Sequence, residues 1–178
     1  NQSAFVAKWG HRLANHAPNG VTPERECDRR AKARILWVEA CVLTPDQDSG
    51  SLRTFRLLRI LIELGCKVTF VADNLSAEEP YCQALRDEGI EVLHAPYVQS
   101  MSDYLRAKGD LYDVVVLCRH YIAIGLVDLL HECHPKTKVW FDTIDLHYLR
   151  LRRQYELDGK SATRDMAEHA YQEESQVI

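Results

Sequence analysis

The chain has 178 residues, 46% of them hydrophobic and 27% charged, enough for one α/β domain whose core folds without covalent staples. Its 22 Lys+Arg against 26 Asp+Glu leave a net charge of -4, which excludes a global basic field for holding nucleic acid and makes any anion site local. The six cysteines (Cys27, Cys41, Cys66, Cys82, Cys118 and Cys133) form no C-x-x-C pair and no finger-like spacing, as in a reduced cytosolic protein; no apolar run approaches the ~20 residues that span a bilayer, and the first residues lack a signal-peptide layout.

Residues 1–16 predict a short helix with Phe5, Trp9 and Leu13 at fourfold spacing, broken by Ala17-Pro18-Asn19-Gly20. Residues 23–34 are charge-dense and read as a linker, so the domain expectation is a helix and linker over 1–34 and one α/β domain over 35–178. From Ile35 the pattern alternates: strand 35–43, helix 52–64, strand 67–72, helix 79–88 stopped by Gly89, strand 91–95, helix 101–108 stopped by Gly109, strand 113–118, helix 122–132 and strand 138–142. A long polar helical stretch follows from about Tyr148. Continuous Val/Ile/Leu strands are buried on both faces, and five β-α units in series imply an α/β doubly wound, mostly parallel sheet. In such a sheet ligands bind beyond the carboxyl ends of the strands, which directs attention to the loops after Leu43, Ala72, Ala95, Cys118 and Asp142. The terminal Glu-Glu-Ser-Gln-Val-Ile reads as a helix handing over to an unfinished apolar segment. A further strand and a partner domain are therefore expected to follow.

Three of those loops carry candidate chemistry. In Thr44-Pro45-Asp46-Gln47-Asp48-Ser49-Gly50-Ser51, Ser49 or Ser51 can cap the next helix, Gly50 allows close backbone approach, and free N–H groups with the helix dipole favour a phosphate or carboxylate. The plainer reading is a good helix start, anchored by Leu52, Phe55, Leu58 and Ile62 on one face. A dinucleotide fingerprint is absent, and Asp46 and Asp48 oppose a pyrophosphate. In Phe141-Asp142-Thr143-Ile144-Asp145-Leu146-His147, two carboxylates and an imidazole emerge at a ligand-binding edge, suited to proton transfer or to sugar hydroxyls. The alternative is that Asp142 and Asp145 cap a helix and His147 is ordinary surface. Arg119-His120 follows the 113–118 strand at the same edge, where the cation can meet a phosphate or an acceptor, or pair with Asp142 or Asp145. Arg150, Arg152 and Arg153 offer a basic patch for an anionic or lipid-phosphate acceptor, or a solvated face with Glu156 within i+4 reach of Arg152. His131, Cys133 and His134 point to different sides of a helix end and make a poor metal set.

With these residues laid out, residues 34–156 resemble the N-terminal half of a GT-B glycosyltransferase of the family 4, or group 1, type. The likeness runs through Ile35-Leu36-Trp37-Val38, the P-D-x-D-S-G-S-L-R loop ending in Leu52-Arg53, the Leu64-Gly65-Cys66-Lys67-Val68-Thr69 step, Tyr112–Arg119 and D-T-x-D-L-H. The loop and the last motif together look like the bacterial surface-polysaccharide branch. The resemblance implies a Rossmann-like domain that holds the acceptor, a missing C-terminal domain that supplies most nucleotide-sugar contacts, and a reaction in the cleft between them. It implies transfer from a nucleotide-sugar donor to a polysaccharide or lipid-linked glycan acceptor, as in O-antigen or capsule synthesis. No further cofactor and no metal are implied.

By the same resemblance, Ser49, Gly50 and Ser51 line the cleft and His147 faces the transferring sugar. Many relatives carry Gly-Gly where this chain has Asp48-Ser49-Gly50, so Asp46 or Asp48 becomes an acceptor-side base for an inverting enzyme. The expected catalytic residues are thus His147, Asp145 and Asp48, with Asp46, Ser49, Gly50, Ser51, Arg53, Arg119, His120, Asp142 and Thr143 binding substrate. The place of work is cytoplasmic, at the inner face of the membrane. The opening Phe5–Leu13 segment looks like the closing helix of a family 2, GT-A-type domain, which would make this a middle piece of a multidomain transferase. The rival expectation is a non-catalytic glycan-binding or docking module. A receiver-like domain would want a lysine after the fifth strand, where Asp142 stands.

Overall fold

The computed structural model describes residues 2–14, 16–17, 23–144 and 146–177. They fall into two compact units, Asn1–Ala31 and Lys32–Ile178. The first holds α1 (Gln2–Leu13) and the short α2 (Pro23–Cys27), and no residue of either helix is buried. The Lys8 ammonium and the Arg12 guanidinium lie 5.2 and 5.3 Å from the Trp9 ring, one helical turn apart on the same face. Helix α2 stands where a linker was expected: Pro23 takes a first helical position that needs no N–H, and Glu24 and Glu26 complement the dipole. The expected breaker at Pro18-Asn19-Gly20 lies outside the described residues.

The second unit is an α/β fold around an all-parallel, five-stranded sheet of order β3-β2-β1-β4-β5. Its strands are β1 (Arg34–Glu39), β2 (Lys67–Ala72), β3 (Glu91–Leu93), β4 (Val114–Cys118) and β5 (Lys138–Asp142). Helices α3 (Ser49–Glu63), α4 (Tyr81–Asp87), α5 (Met101–Lys108) and α6 (His120–Cys133) connect them in sequence. Alternate residues of β1 serve opposite faces, as strand geometry requires. Ile35 and Trp37 join Leu58 of α3, Leu85 of α4, Phe70 and Val116 in one core, while Leu36 and Val38 join Leu105 of α5, Leu126 and Leu130 of α6, Val115 and Leu117 in the other. The chain winds from β1 outward through β2 and β3, then crosses back to β4 and β5. The topological switch therefore falls between β1 and β4, where such sheets open a crevice at their carboxyl ends.

Several expected boundaries move. Strand β1 stops at Glu39 instead of running to Leu43; Val42 and Leu43 are buried, but in the loop beyond the ladder. Helix α3 starts at Ser49, because Asp48 is its cap. The face of α3 turned inward carries Ser51, Thr54 and Leu58, flanked by Phe55 and Ile62. The long C-terminal helix is two, α7 (His147–Asp158) and α8 (Ser161–Ser175). Gly159, at φ 64, ends α7 in the left-handed conformation that glycine adopts at no steric cost, and the Asp158 carboxylate then accepts from Lys160 N–H and the Thr163 hydroxyl. No helix among the described residues is long and apolar enough to cross a membrane.

Candidate functional site

The register sets Val38 beside Leu117 and Cys118 beside Asp142, so Glu39, Cys118 and Asp142 close the three strands in one row at the switch point. All three share the side of the sheet taken by Trp37, Val116 and Trp140, which is the α3 side. Glu39 is 5% exposed. Burial pushes its carboxyl pKa up, against the opposing pull of the Ala40 N–H, the Cys118 thiol and Arg119. Sequence reasoning missed this residue, although an acid closing an apolar strand at its carboxyl end is a visible signal.

Two arginines face this row. Arg53, on the first turns of α3, donates two hydrogen bonds to Asp142, at 2.7 and 3.2 Å. Arg119 meets Glu39 at 3.6 Å and not Asp142, which Arg53 already holds. Arg119 also has φ 75, a conformation that costs a non-glycine residue about 1–3 kcal/mol and persists only where the surroundings enforce it. Here its carbonyl accepts from Ile122 and Ala123 N–H at the start of α6, and its side chain is drawn to Glu39. The Arg119 side chain is 29% exposed.

The 44–51 loop is ordered by its own acid. Asp48 accepts from Ser51 N–H at 2.7 Å and from the Thr44 hydroxyl at 3.1 Å, so the expected serine cap is replaced by an aspartate cap. Hydrogen bonds from Ser51 hold the Asp48 carboxylate below its usual range. The anion at the α3 N-terminus is thus supplied by the chain itself. A Cβ on Gly50 would stand 3.2 Å from Asp48 Oδ1 and 3.8 Å from Ile144 Cγ2, so the glycine leaves room for the cap. Asp46 accepts from the Tyr81 hydroxyl, which tethers the loop to α4. Ser49 is exposed and Ser51 buried, while Thr143 is exposed beside Asp142. Asp145 lies outside the described residues.

A second cluster sits at the same edge. His120, at the start of α6, is 7% exposed, and His147, at the start of α7, packs edge-to-face on it at 4.9 Å. Glu174 of α8, 1% exposed, accepts from His147 N–H at 2.7 Å and Tyr148 N–H at 3.4 Å, doing for α7 what Asp142 and Asp145 were alternatively expected to do. His120 Nε2 lies 3.2 Å from Glu173 and Nδ1 3.5 Å from Glu174. By contrast His134 turns away from His131 and Cys133, its Nε2 meeting the Leu105 carbonyl at 2.6 Å.

Below the Arg53–Asp142 pair, an apolar groove of about 640 Å³ runs along β4 and β5 past Trp37, Leu57, Ile60, Leu61 and Trp140. Arg150 and Arg153 border a shallower depression with Thr143, Ile144, Leu146 and Leu149, whereas Arg152 approaches Glu156 at 3.9 Å on the exposed face of α7. The carboxyl edge therefore combines paired acids, paired cations and imidazoles. Such a set can hold hydroxyls and phosphates and move a proton. Set against family models, curated proteins and solved structures, the chain matches none of them.

Proposed function

We propose that this chain is the acceptor-side, Rossmann-like half of a GT-B glycosyltransferase of the family 4 type, which passes a sugar from a nucleotide-sugar donor to a polysaccharide or lipid-linked glycan. The observation that carries this reading is the junction of its two most specific motifs. The P-D-x-D-S-G-S-L-R loop and D-T-x-D-L-H, 89 residues apart at Arg53 and Asp142, meet through paired hydrogen bonds at the carboxyl edge of the sheet.

In the transfer, the acceptor oxygen attacks the anomeric carbon, the bond to the nucleotide phosphate breaks, and the hydroxyl proton passes to a base. Asp142 and Thr143 lie where they can take sugar hydroxyls, and Arg119 where it can meet developing negative charge. By the same resemblance His147, at the start of α7, would be the imidazole that faces the transferring sugar. Asp48, engaged as a cap and held low in basicity, is a weaker base than its position suggested. Glu39 positions Arg119. Half of the cleft belongs to a following domain, and without groups on both sides of the reacting centre the isolated chain transfers little or nothing. Arg150 and Arg153 fit an anionic lipid headgroup, which would place the work at the cytoplasmic face of a membrane.

The test compares a longer chain carrying the partner domain, this chain alone, and a His147→Ala form of the longer one, across a panel of nucleotide sugars with a lipid-linked glycan acceptor. Transfer by the longer chain only, abolished by the substitution in a folded protein, supports the reading. The apolar groove, with Trp140 61% exposed, favours a second reading as a docking module. A longer chain that is inert with every donor yet binds glycan selects it.

A further inference from the structure

We propose that His120, His147 and Glu174 form a binding site for a divalent transition-metal ion of the zinc type, with Glu173 orienting His120 from outside the ligand set. One ligand atom from each of the three residues lies within 4.8 Å of the other two. Two of the three residues are buried, unlike the exposed acids that gather on surfaces by chance. They arrive on α6, α7 and α8, so the folded arrangement, and no local spacing, assembles them.

The groups around the cluster suit a cation. Glu173 Oε2 lies 3.2 Å from His120 Nε2, on the outer side of the ring. His120 Nδ1 lies 3.5 Å from the buried Glu174 Oε1, so a nitrogen and an oxygen that can both ligate stand side by side. A shared cation would engage both. Among the described residues Glu174 accepts one backbone N–H per carboxylate oxygen, from His147 and Tyr148, which leaves each oxygen a further lone pair. The His147 ring closes the third side against His120 at an interplanar angle of 81°.

A carboxylate that takes the outer N–H of a metal-binding histidine is the usual partner of such a ligand, because it sets the tautomer and raises the basicity of the other nitrogen. Glu173 Oε2 stands 3.2 Å from that position on His120, and its other oxygen lies 3.3 Å from His169 Nε2. Two imidazoles and one carboxylate suit zinc over magnesium or calcium, and three protein ligands leave a fourth position for water or a substrate oxygen. A tetrahedral zinc site draws its ligand atoms to about 3.4 Å apart, which follows from zinc–ligand distances near 2.0–2.1 Å.

The inference does not rest on sugar transfer, since its readout needs no donor, acceptor or partner domain. The 178-residue chain is titrated with zinc against a chromogenic chelator, and its cobalt(II) form is examined by visible spectroscopy. The expected result is one zinc per chain and the bands of tetrahedral cobalt without a thiolate charge-transfer band, which excludes the exposed cysteines. His147→Ala should weaken binding on the order of 100-fold or more. Glu173→Gln, a change at a partly exposed position that leaves the fold intact, should weaken it about 10- to 100-fold. His94→Ala should leave it unchanged. Failure to retain zinc against the chelator overturns the proposal, with a proton as the bridge between His120 and Glu174. So do a thiolate band and binding that neither His147→Ala nor Glu173→Gln weakens.

Discussion

Asp48 shows how one side chain can decide what a loop is able to bind. Its carboxylate occupies the N-terminus of α3, so a phosphate arriving there meets a negative charge before any free N–H. Asp48→Ala should cost about 1 kcal/mol at neutral pH, the usual worth of such a cap, while Asp48→Asn keeps most of it. Ser51 depresses the folded-state pKa below its ordinary value of 3.8, so this contribution is present above 3.8 and is lost as pH falls through the lower folded value. Urea denaturation should show a gap between wild type and Asp48→Ala that closes on acidification; a gap independent of pH would count against the cap. Glu39 has the opposite sign. Burial raises its folded-state pKa above 4.5, so the folded chain binds this proton more tightly than the unfolded chain does. Its contribution is full below 4.5 and declines as pH rises through the raised value. Relative to Glu39→Gln, wild type should lose stability across that window, measured as melting temperature against pH. Equal slopes for the two proteins would show that the carboxyl titrates as if exposed.

At the scale of elements, the boundaries that were legible are those set by local pattern. The apolar runs of β2 and β5 and the Ser100-capped α5 occupy the expected residues, because an apolar run and a capping hydroxyl leave a mark in the sequence itself, although only β2 is buried on both faces and the edge strand β5 leaves Trp140 exposed. The start of α3 was less legible because Asp48, Ser49 and Ser51 are all good caps, and the choice depends on which side chain reaches the Ser51 N–H. The break at Gly159 was hidden by helix-forming residues on both sides of it. Of the site, the loops were legible from topology, but the residues that organise them were not: Glu39 is defined by Arg119 and Cys118 across the sheet, and Glu174 reaches back 27 residues to His147. Such long-range caps leave no trace in spacing. Glu174→Ala should therefore act on α7, leaving the His147 and Tyr148 N–H groups without their acceptor at a cost of about 1–3 kcal/mol. Hydrogen exchange should speed at the start of α7 and α8 while the amides of β1 and β4 keep their protection. Uniform loss of protection would instead mean that Glu174 supports the whole unit.

At the scale of the whole α/β unit, the two sheet faces are finished differently. On one face α5 and α6 cover β1, β4 and β5, and Val139 and Phe141 turn into that core. On the other, α3 and α4 cover β1 to β3, while β4 and β5 border the groove, with Trp140 61% and Ile60 49% exposed. A contiguous apolar strip beside a polar mouth is the kind of surface that proteins reserve for contact. An apolar dye such as anilinonaphthalene sulfonate should bind the native chain here, with enhanced emission and quenching of tryptophan fluorescence. Trp140→Lys should reduce dye binding several-fold. Because the indole is largely in water, the same substitution should change stability by no more than about 0.5 kcal/mol. Dye binding indifferent to this change would place the exposed apolar surface elsewhere, whereas its loss together with a large drop in stability would mean that Trp140 belongs to the core and the groove is narrower than its walls suggest.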